Sequence, residues 1–342
     1  AKVLKKLDGI EYETFLVGCI LPSTFIARED KIKSEFEIPW AESIKHAFNR
    51  VLGKELSKLT GKRAEFEDPD LTIVYNLLKD EVEIRIRSIF IYGRYLKLMR
   101  GIPQSKWRRR YYKRMREMGM EVEEKSYYPT SVEEMVSKQS LKVFEGEEGI
   151  LHAAGREDID ARMLGNGRPF VLEVKNPKRR SFPLKELENM INEYCKGVVQ
   201  VKSLRYVDRS MVSKIKLLGQ RSTKKYRALV ECDEKVSDEE LEKLCEYFNE
   251  IKISQRTPLR VSHRRADKVR YKKVYKLYSK RINDKKFELI IESQGGLYIK
   301  ELISGDEGRT RPSVSEFLGK SCRCLELDVI GIFCEGLEDE EE

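Results

Sequence analysis

The chain holds 342 residues, 40% of them hydrophobic and 37% charged, with a net charge of +9. That length suits about two domains with a sizeable core, and the apolar content is too high for a disordered chain. No apolar run nears the roughly 20 residues that cross a bilayer and no signal-peptide pattern opens the chain, so no membrane partner is expected.

In chain order, the first unit reads as α+β. Ile44, Ala47, Phe48, Val51, Leu52 and Leu56 fall on one face of a helix over 42–56. Leu71, Ile73 and Tyr75 alternate as a strand, and Val82, Ile84 and Ile86 alternate with Glu83, Arg85 and Arg87 in the next, with Lys79 and Asp80 at the bend. Gly93, Gly101 and Pro103 then punctuate the chain before a basic segment over 107–116 predicted as a helix. The domain boundary is placed near residue 122.

Beyond it, strands alternate with short helices. Thr130 with Glu133, Ser237 with Glu240 and Ser313 with Glu316 have capping-box spacing. Amphipathic helices are predicted around Leu184, Leu187, Ile191 and Tyr194, and around Leu241, Leu244, Cys245 and Phe248. Strands are predicted near 148–163, 169–175, 226–232, 269–282 and 286–293, the last two forming a hairpin across Asn283 and Asp284. Many strands with helices to the side indicate an α+β sheet domain rather than a doubly wound one.

Seven scattered cysteines, an odd number with no CxxC pair, argue against a secreted disulfide scaffold and a zinc knuckle. Cys322 and Cys324 read as alternate positions of a strand, and a reducing cytoplasm is the expected compartment. His46, His152 and His263 are too few and too dispersed for a metal site. Ala1 stands where an initiator Met would, so a processed chain or a fragment is expected.

The acidic end, from Glu335 to Glu342, masks part of the positive excess elsewhere. Residues 101–116 carry seven basic groups (Lys106, Arg108, Arg109, Arg110, Lys113, Arg114, Arg116) and no acid. Residues 256–281 carry eleven and one acid, Asp267, with Tyr271, Tyr275 and Tyr278 between them. A solvated basic face is the plainer reading of one such run. Two runs with interleaved aromatics favour nucleic acid, because cations neutralise phosphates while flat rings stack on bases.

The densest charge pattern is Gly155-Arg156-Glu157-Asp158-Ile159-Asp160-Ala161-Arg162, followed by the turn-forming Gly165-Asn166-Gly167. On a strand, Asp158 and Asp160 share one side, so Asp160 is a rival for any role given to Asp158. A surface ion-pair network is the ordinary reading of such a run. As chemistry, Asp158 or Asp160 with Glu173 and Lys175 matches a D…ExK pattern, which would make a metal-dependent nuclease.

Three segments outweigh that short pattern. Gly155-Arg156-Glu157-Asp158, Lys224-Lys225-Tyr226-Arg227-Ala228 and Gly296-Leu297-Tyr298-Ile299-Lys300 resemble, in chain order, three motifs of pseudouridine synthases. Longer stretches, among them Gln255-Arg256-Thr257-Pro258-Leu259-Arg260-Val261-Ser262-His263-Arg264-Arg265, Gly305-Asp306-Glu307-Gly308-Arg309-Thr310 and Gly93-Arg94-Tyr95-Leu96-Lys97, resemble the Pus-ten family. These are tRNA pseudouridine synthases of archaea and eukaryotes that carry a THUMP-containing accessory domain. The resemblance runs from about residue 10 to 333. Members usually carry zinc-binding cysteine pairs toward the N-terminus, and none occurs here. Either the lineage lacks that element or a fragment begins after it, so no metal is carried over.

The resemblance implies a THUMP-like accessory α/β domain over 1–122 and a catalytic domain of mixed sheet with flanking helices over 123–342. It implies isomerisation of uridine in the TΨC arm of tRNA, at position 55 and also 54, without a cofactor. Asp158 would be the nucleophile, Lys300 its basic partner, and Tyr226 the residue that stacks on the base and is a candidate to remove a proton. Arg156 would lie near the flipped nucleotide, and Arg162 would hold the loop. RNA contacts would come from Lys106, Arg108, Arg109, Arg110, Arg256, Arg260, Arg264, Arg265, Tyr298 and Arg309. A cytoplasmic monomer with no obligate protein partner is expected. A catalytically inactive tRNA-binding protein is the remaining alternative.

Overall fold

The computed structural model describes residues 1–107, 114–120, 127–263 and 265–336. Of the helix expected over 107–116, residues 108–113 lie outside the described residues and 114–116 are helical, while most of the acidic end also lies outside. The chain divides into two compact units that interleave in sequence. One comprises Ala1–Ile89, Ser140–Gly149 and Glu173–Pro183; the other comprises Phe90–Gln139, Ile150–Leu172 and Leu184–Glu342. Residues 90–107 therefore cluster with the second unit, whereas the domain boundary is expected near residue 122.

The first unit opens with α1 (Lys2–Leu7), β1 (Thr14–Ile20), α2 (Ser23–Glu35) and α3 (Ile44–Thr60), followed by β2 (Arg63–Ala64), β3 (Leu71–Asn76) and β4 (Glu81–Ile86). Its sheet has the order β2-β1-β3-β4, with β1 parallel to both neighbours and β3–β4 a hairpin in register from Leu71 against Ile86 to Asn76 against Glu81. Asp80 turns that hairpin with a positive φ, a conformation that Asp tolerates better than most residues. Helix α3 starts where the Ser43 side chain accepts a hydrogen bond from the His46 N–H, and ends at Gly61 in the left-handed region. Phe15, Val17, Leu56, Leu71, Ile73 and Val82 form the core. Of the helical stripe expected over 42–56, Ile44 and Val51 are exposed instead, because the sheet covers only the side bearing Leu52 and Leu56.

The second unit is built on most of β5 (Ile89–Lys97), α4 (Val132–Phe144), β6 (Glu148–Ala153) and β7 (Arg162–Lys175), and on α5 (Leu184–Tyr194), β8 (Val199–Val207), α6 (Ser210–Arg221) and β9 (Thr223–Cys232). There follow α7 (Asp238–Tyr247), β10 (Ile251–Arg256), α8 (Leu259–Ser262), β11 (Val269–Arg281), β12 (Lys286–Gln294), α9 (Ile299–Ser304), β13 (Thr310–Arg311), α10 (Val314–Leu318) and β14 (Cys322–Phe333). The strands join one mixed sheet in the order β13-β10-β11-β12-β9-β14-β7-β5-β8, with β6 on β7. β14 runs parallel to β7 and antiparallel to β9. Burial alternates without a break along β9, which turns Lys224, Tyr226, Ala228, Val230 and Cys232 inward.

Several expectations are corrected here. The strand predicted over 148–163 stops at Ala153, and 154–161 is an irregular loop. Asp158 and Asp160 therefore do not share a face by strand alternation. The cap of α4 is Ser131, whose hydroxyl accepts from the Glu134 N–H, one residue later than the Thr130–Glu133 box. β5 escaped the sequence because it is buried on both faces and shows no period of two. Cys322 and Cys324 do lie on a strand, and Cys322 sits opposite Cys232 on β9, with which it forms a disulfide. The boxes at Ser237 and Ser313 cap α7 and α10 as their spacing indicated. Among the described residues, no helix is long and apolar enough to cross a membrane.

Candidate active site

The loop over 154–161 leaves β6 and enters β7, and beneath it lies a network of charged and polar side chains. Glu157 points inward and is fully buried. Arg168 of β7 donates to its carboxylate at 2.8 Å, and the Tyr95 hydroxyl of β5 donates at 2.9 Å. Burial alone would raise the Glu157 carboxyl, but the charges of Arg168 and Lys97 outweigh it and hold the group below its ordinary range. Lys97, itself buried and pushed down by desolvation, spends its three donors on the carbonyls of Ile102, Asp158 and Ile159 at 3.0, 3.0 and 3.1 Å. Gln104 donates to the Gly155 carbonyl at 3.0 Å and Arg168 to that of Ala154 at 2.7 Å. Gly155 has φ near +83°, and a Cβ there would meet Lys224 Nζ at 2.9 Å, so only glycine fits.

With Glu157 turned inward, its neighbours face outward. Arg156 is exposed and Asp158 is half-buried, its side chain 34% accessible. Both line a cavity of about 940 Å³ with Asp160, Arg168, Lys224, Tyr226, Arg260, Arg265, Tyr298 and Lys300. Arg260 of α8 binds Asp158 through both terminal nitrogens, at 3.0 and 3.2 Å. Glu301 of α9 holds the same guanidinium from behind, at 2.5 Å from Nε. Lys300 lies 3.8 Å from Asp158 but 2.6 Å from Asp160. Partial burial works against the Asp160 charge, yet the Lys300 hydrogen bond lowers its carboxyl below the usual range. Burial pushes the Tyr226 hydroxyl up to about 12, against the Arg168 charge and with that of nearby Asp158, so the phenol holds its proton more firmly than a solvated tyrosine.

The far end of the loop is anchored at Asp328 of β14. Its buried carboxylate, 4% accessible, accepts from Arg162 at 2.8 and 2.9 Å, from Arg100 at 2.7 Å and from Arg227 at 3.0 Å. Desolvation would raise this acid; the three guanidinium groups bring it down to about 2. Arg100 also donates to the Asp160 carbonyl at 2.9 Å.

The other expected RNA-binding residues divide into three sets. Arg265 donates to the Tyr298 hydroxyl at 2.7 Å, and Arg260 and Arg265 both lie 5.9 Å from the Tyr298 ring centre. Arg256 and Arg309 are drawn to Asp267, at 2.6 and 2.8 Å, and Arg309 also donates to the Thr257 carbonyl at 2.7 Å. Lys106 is half-buried, whereas Arg108, Arg109, Arg110 and Arg264 lie outside the described residues. Sequence reasoning missed Glu157, Arg168, Lys97, Gln104, Asp328 and Lys224 as site components. Glu157, Lys224 and Lys97 lie inside the motif segments, but spacing alone does not tell which of their residues turn inward.

Glu173 and Lys175 of the D…ExK pattern are occupied elsewhere, with Ser88 Oγ 3.2 Å from Glu173 and Glu148 3.0 Å from Lys175. Among the described residues, no group of three or more His, Cys, Asp or Glu side chains is placed to hold a metal ion.

The family model "Pus10, C-terminal" matches residues 90–332, and "Pus10 THUMP domain, archaeal" matches residues 1–76. A tRNA pseudouridine synthase Pus10 of Thermofilum pendens is 40% identical over 331 residues, which is 97% of this chain and 72% of the relative. That of Korarchaeum cryptofilum is 44% identical, covering 98% of this chain and 89% of the relative. That of Methanothermobacter marburgensis is 46% identical, covering 97% and 82%. A chain of a solved Cbf5-Nop10-Gar1 complex aligns at a TM-score of 0.36 and 18% identity, over 60% of this chain and 46% of that chain.

Proposed function

This chain belongs to the Pus10 family of tRNA pseudouridine synthases and is an isomerase that acts on tRNA, and from that premise we propose that Asp158 is the carboxylate that reacts with the target uridine. The observation that carries the assignment is the position of Asp158 in the cavity, gripped by Arg260 and 3.8 Å from Lys300. The reaction breaks the bond from C1′ to N1, turns the detached base, and joins C1′ to C5. Asp158 acts as nucleophile or charge partner at the reacting carbon, and the bidentate Arg260 pair holds its two oxygens in place. Lys300 serves both Asp158 and Asp160, so its departure from either leaves the other paired.

The target uridine leaves its stack to enter the cavity, at a cost of a few kcal/mol offset by contacts inside. Tyr226 supplies the ring on which the base lies. Arg156 at the rim meets the backbone beside the flipped nucleotide. The substrate position is uridine 55 of the TΨC arm, with uridine 54 a second target. The first unit, with Lys106 and the basic stretch that follows it, serves as the accessory RNA grip. The β11–β12 hairpin, with Tyr271 and Tyr278 exposed, follows the RNA beside the cavity. In this reading the enzyme works as a cytoplasmic monomer.

The test is tritium release from tRNA carrying 5-labelled uridine, with and without EDTA. Release unaffected by chelator, lost in Asp158→Asn and kept in Asp160→Asn, is the expected result. Full activity in Asp158→Asn would overturn the assignment. Shortened RNA that depends on Mg²⁺ would point to nuclease chemistry instead.

A further inference from the structure

The reaction needs an acceptor for the C5 proton, and the groups described so far do not provide one. Tyr226 keeps its own proton at neutral pH. Asp158 is committed to Arg260 and to the reacting carbon. Lys224 differs from every other cation at the cavity. It is 6% accessible and lines the cavity floor, and among the described residues its Nζ has no hydrogen-bond or ion-pair partner. It stands two residues before Tyr226 on the inward face of β9. Same-face neighbours on a strand are about 6.6 Å apart, which is about the reach of an extended lysine side chain. Both side chains line the one cavity, so a base stacked on the Tyr226 ring shares that space with the Lys224 amine. Gly155 closes over the amine from the loop that carries Asp158.

We infer that Lys224 is the general base that removes the C5 proton in the last step of the isomerisation. This rests on the reading of Asp158 and Tyr226 given above. With the carboxylate acting at the sugar, the rejoined base carries both hydrogen and C1′ on C5, and a double bond between C6 and N1. The C5–H bond breaks and its proton bonds to the Nζ lone pair. The electron pair left behind forms the C5–C6 double bond. The C6–N1 pair moves onto N1, which takes a proton from water, and Nζ later returns its proton to solvent.

The electrostatics supply an amine with a lone pair. Burial is the main cause and the Arg168 charge the next, and together they push Lys224 down to about 7. The charged and titratable groups facing it are Arg168 from β7 and Lys272 from β11, which lower it, and Glu157 of the loop and Cys334 beyond β14, which raise it. Near neutral pH the neutral and charged forms are both populated, the condition under which proton transfer is most effective.

The experiment uses the full chain and tRNA whose target uridine carries hydrogen or deuterium at C5, under single-turnover conditions. Lys224→Met should bind tRNA as the wild type does and unfold no earlier, because it replaces an unpaired buried amine with an apolar chain of like size. Its rate should fall about 10²–10⁴-fold. Its C5 isotope effect should grow, and the limb of the rate profile near pH 7 should vanish. Lys224→Ala should regain rate with added methylamine, which keeps the proposal testable if the Met variant folds poorly. A Met variant within threefold of the wild-type rate would overturn the proposal. So would a loss of rate with the isotope effect unchanged and no rescue by methylamine, since that pattern marks a structural role. Asp158→Asn is measured alongside: activity there would fail the reading of the cavity itself, whereas activity in Lys224→Met alone would fail only the base.

Discussion

Asp158 and Asp328 are both aspartates bound to arginine at the two ends of one loop system, and they are built for opposite purposes. Asp328 is buried on β14 and accepts from three guanidinium groups, so none of its oxygen capacity is left for a substrate. Asp158 has one bidentate arginine and a lysine that it shares, and about a third of its side chain still opens onto the cavity. The same ion pair becomes an anchor when its lone pairs are saturated away from water, and a reagent when some are left for an incoming atom. The number of partners and the access, rather than the residue type, separate the two.

That contrast is broken most sharply by isosteric neutralisation at each end. Asp158→Asn should cut turnover by at least about 10³-fold, as removal of a reacting group does. Its stability should change by no more than about 1 kcal/mol, because the pair is partly solvated and Glu301 still holds Arg260. Asp328→Asn should do the reverse. It strands three arginines around a buried site and should cost about 3 kcal/mol in denaturant unfolding, with activity reduced only as far as the loop end loosens. If Asp328→Asn were as stable as the wild type while Asp158→Asn unfolded early, the anchor and the reagent would have been exchanged.

A milder probe is acid. The folded Asp328 carboxyl lies at about 2, below its unfolded value near 3.8. A lowered folded value gives stability that is complete above about pH 4 and is lost as the pH falls through 2. At roughly 1.4 kcal/mol per pH unit, this is about 2 kcal/mol. Unfolding followed from pH 5 to pH 2 should show that loss in the wild type. The Asp328→Asn variant should lack this component, so that the two curves converge in acid. Parallel curves down to pH 2 would mean that the three arginines do not hold the proton off.

The contrast also explains what the sequence could and could not tell. The hairpin of β3 and β4, the caps at Ser237 and Ser313 and the long β11–β12 ribbon depend on residues a few places apart, so periodicity and capping rules reach them. The loop over 154–161 looked like a strand because alternating charges mimic a solvated edge. Its actual shape is set from far away: Lys97 lies 62 residues from Ile159, Arg260 lies 102 from Asp158, and Arg162 lies 166 from Asp328. No local pattern reports such pairs. The Cys232–Cys322 bridge, 90 residues apart, was hidden for the same reason and emerges only when β9 meets β14 in register. Asp158 itself was singled out by motif resemblance, whereas the inward turn of Glu157 that exposes it required coordinates.

The smallest expected effect lies outside both carboxylate sites, on the exposed face of β11. Tyr271 is 61% accessible there, and Lys276 and Lys280 are exposed along the same strand. Unlike Lys224, these cations are solvated and act on the substrate through its phosphates, whose counterions are released on binding. Binding of unmodified tRNA to the wild type should therefore weaken steeply as salt rises. Lys276→Ala should lower affinity a few-fold at most and reduce the slope of log affinity against log salt by about 1. Its single-turnover rate at saturating enzyme should stay as it is, since the flipped base never meets this side chain. A slope identical to the wild type would remove this ribbon from the RNA path, and the search for the phosphate contacts would move to the first unit and to the stretch that begins at Lys106.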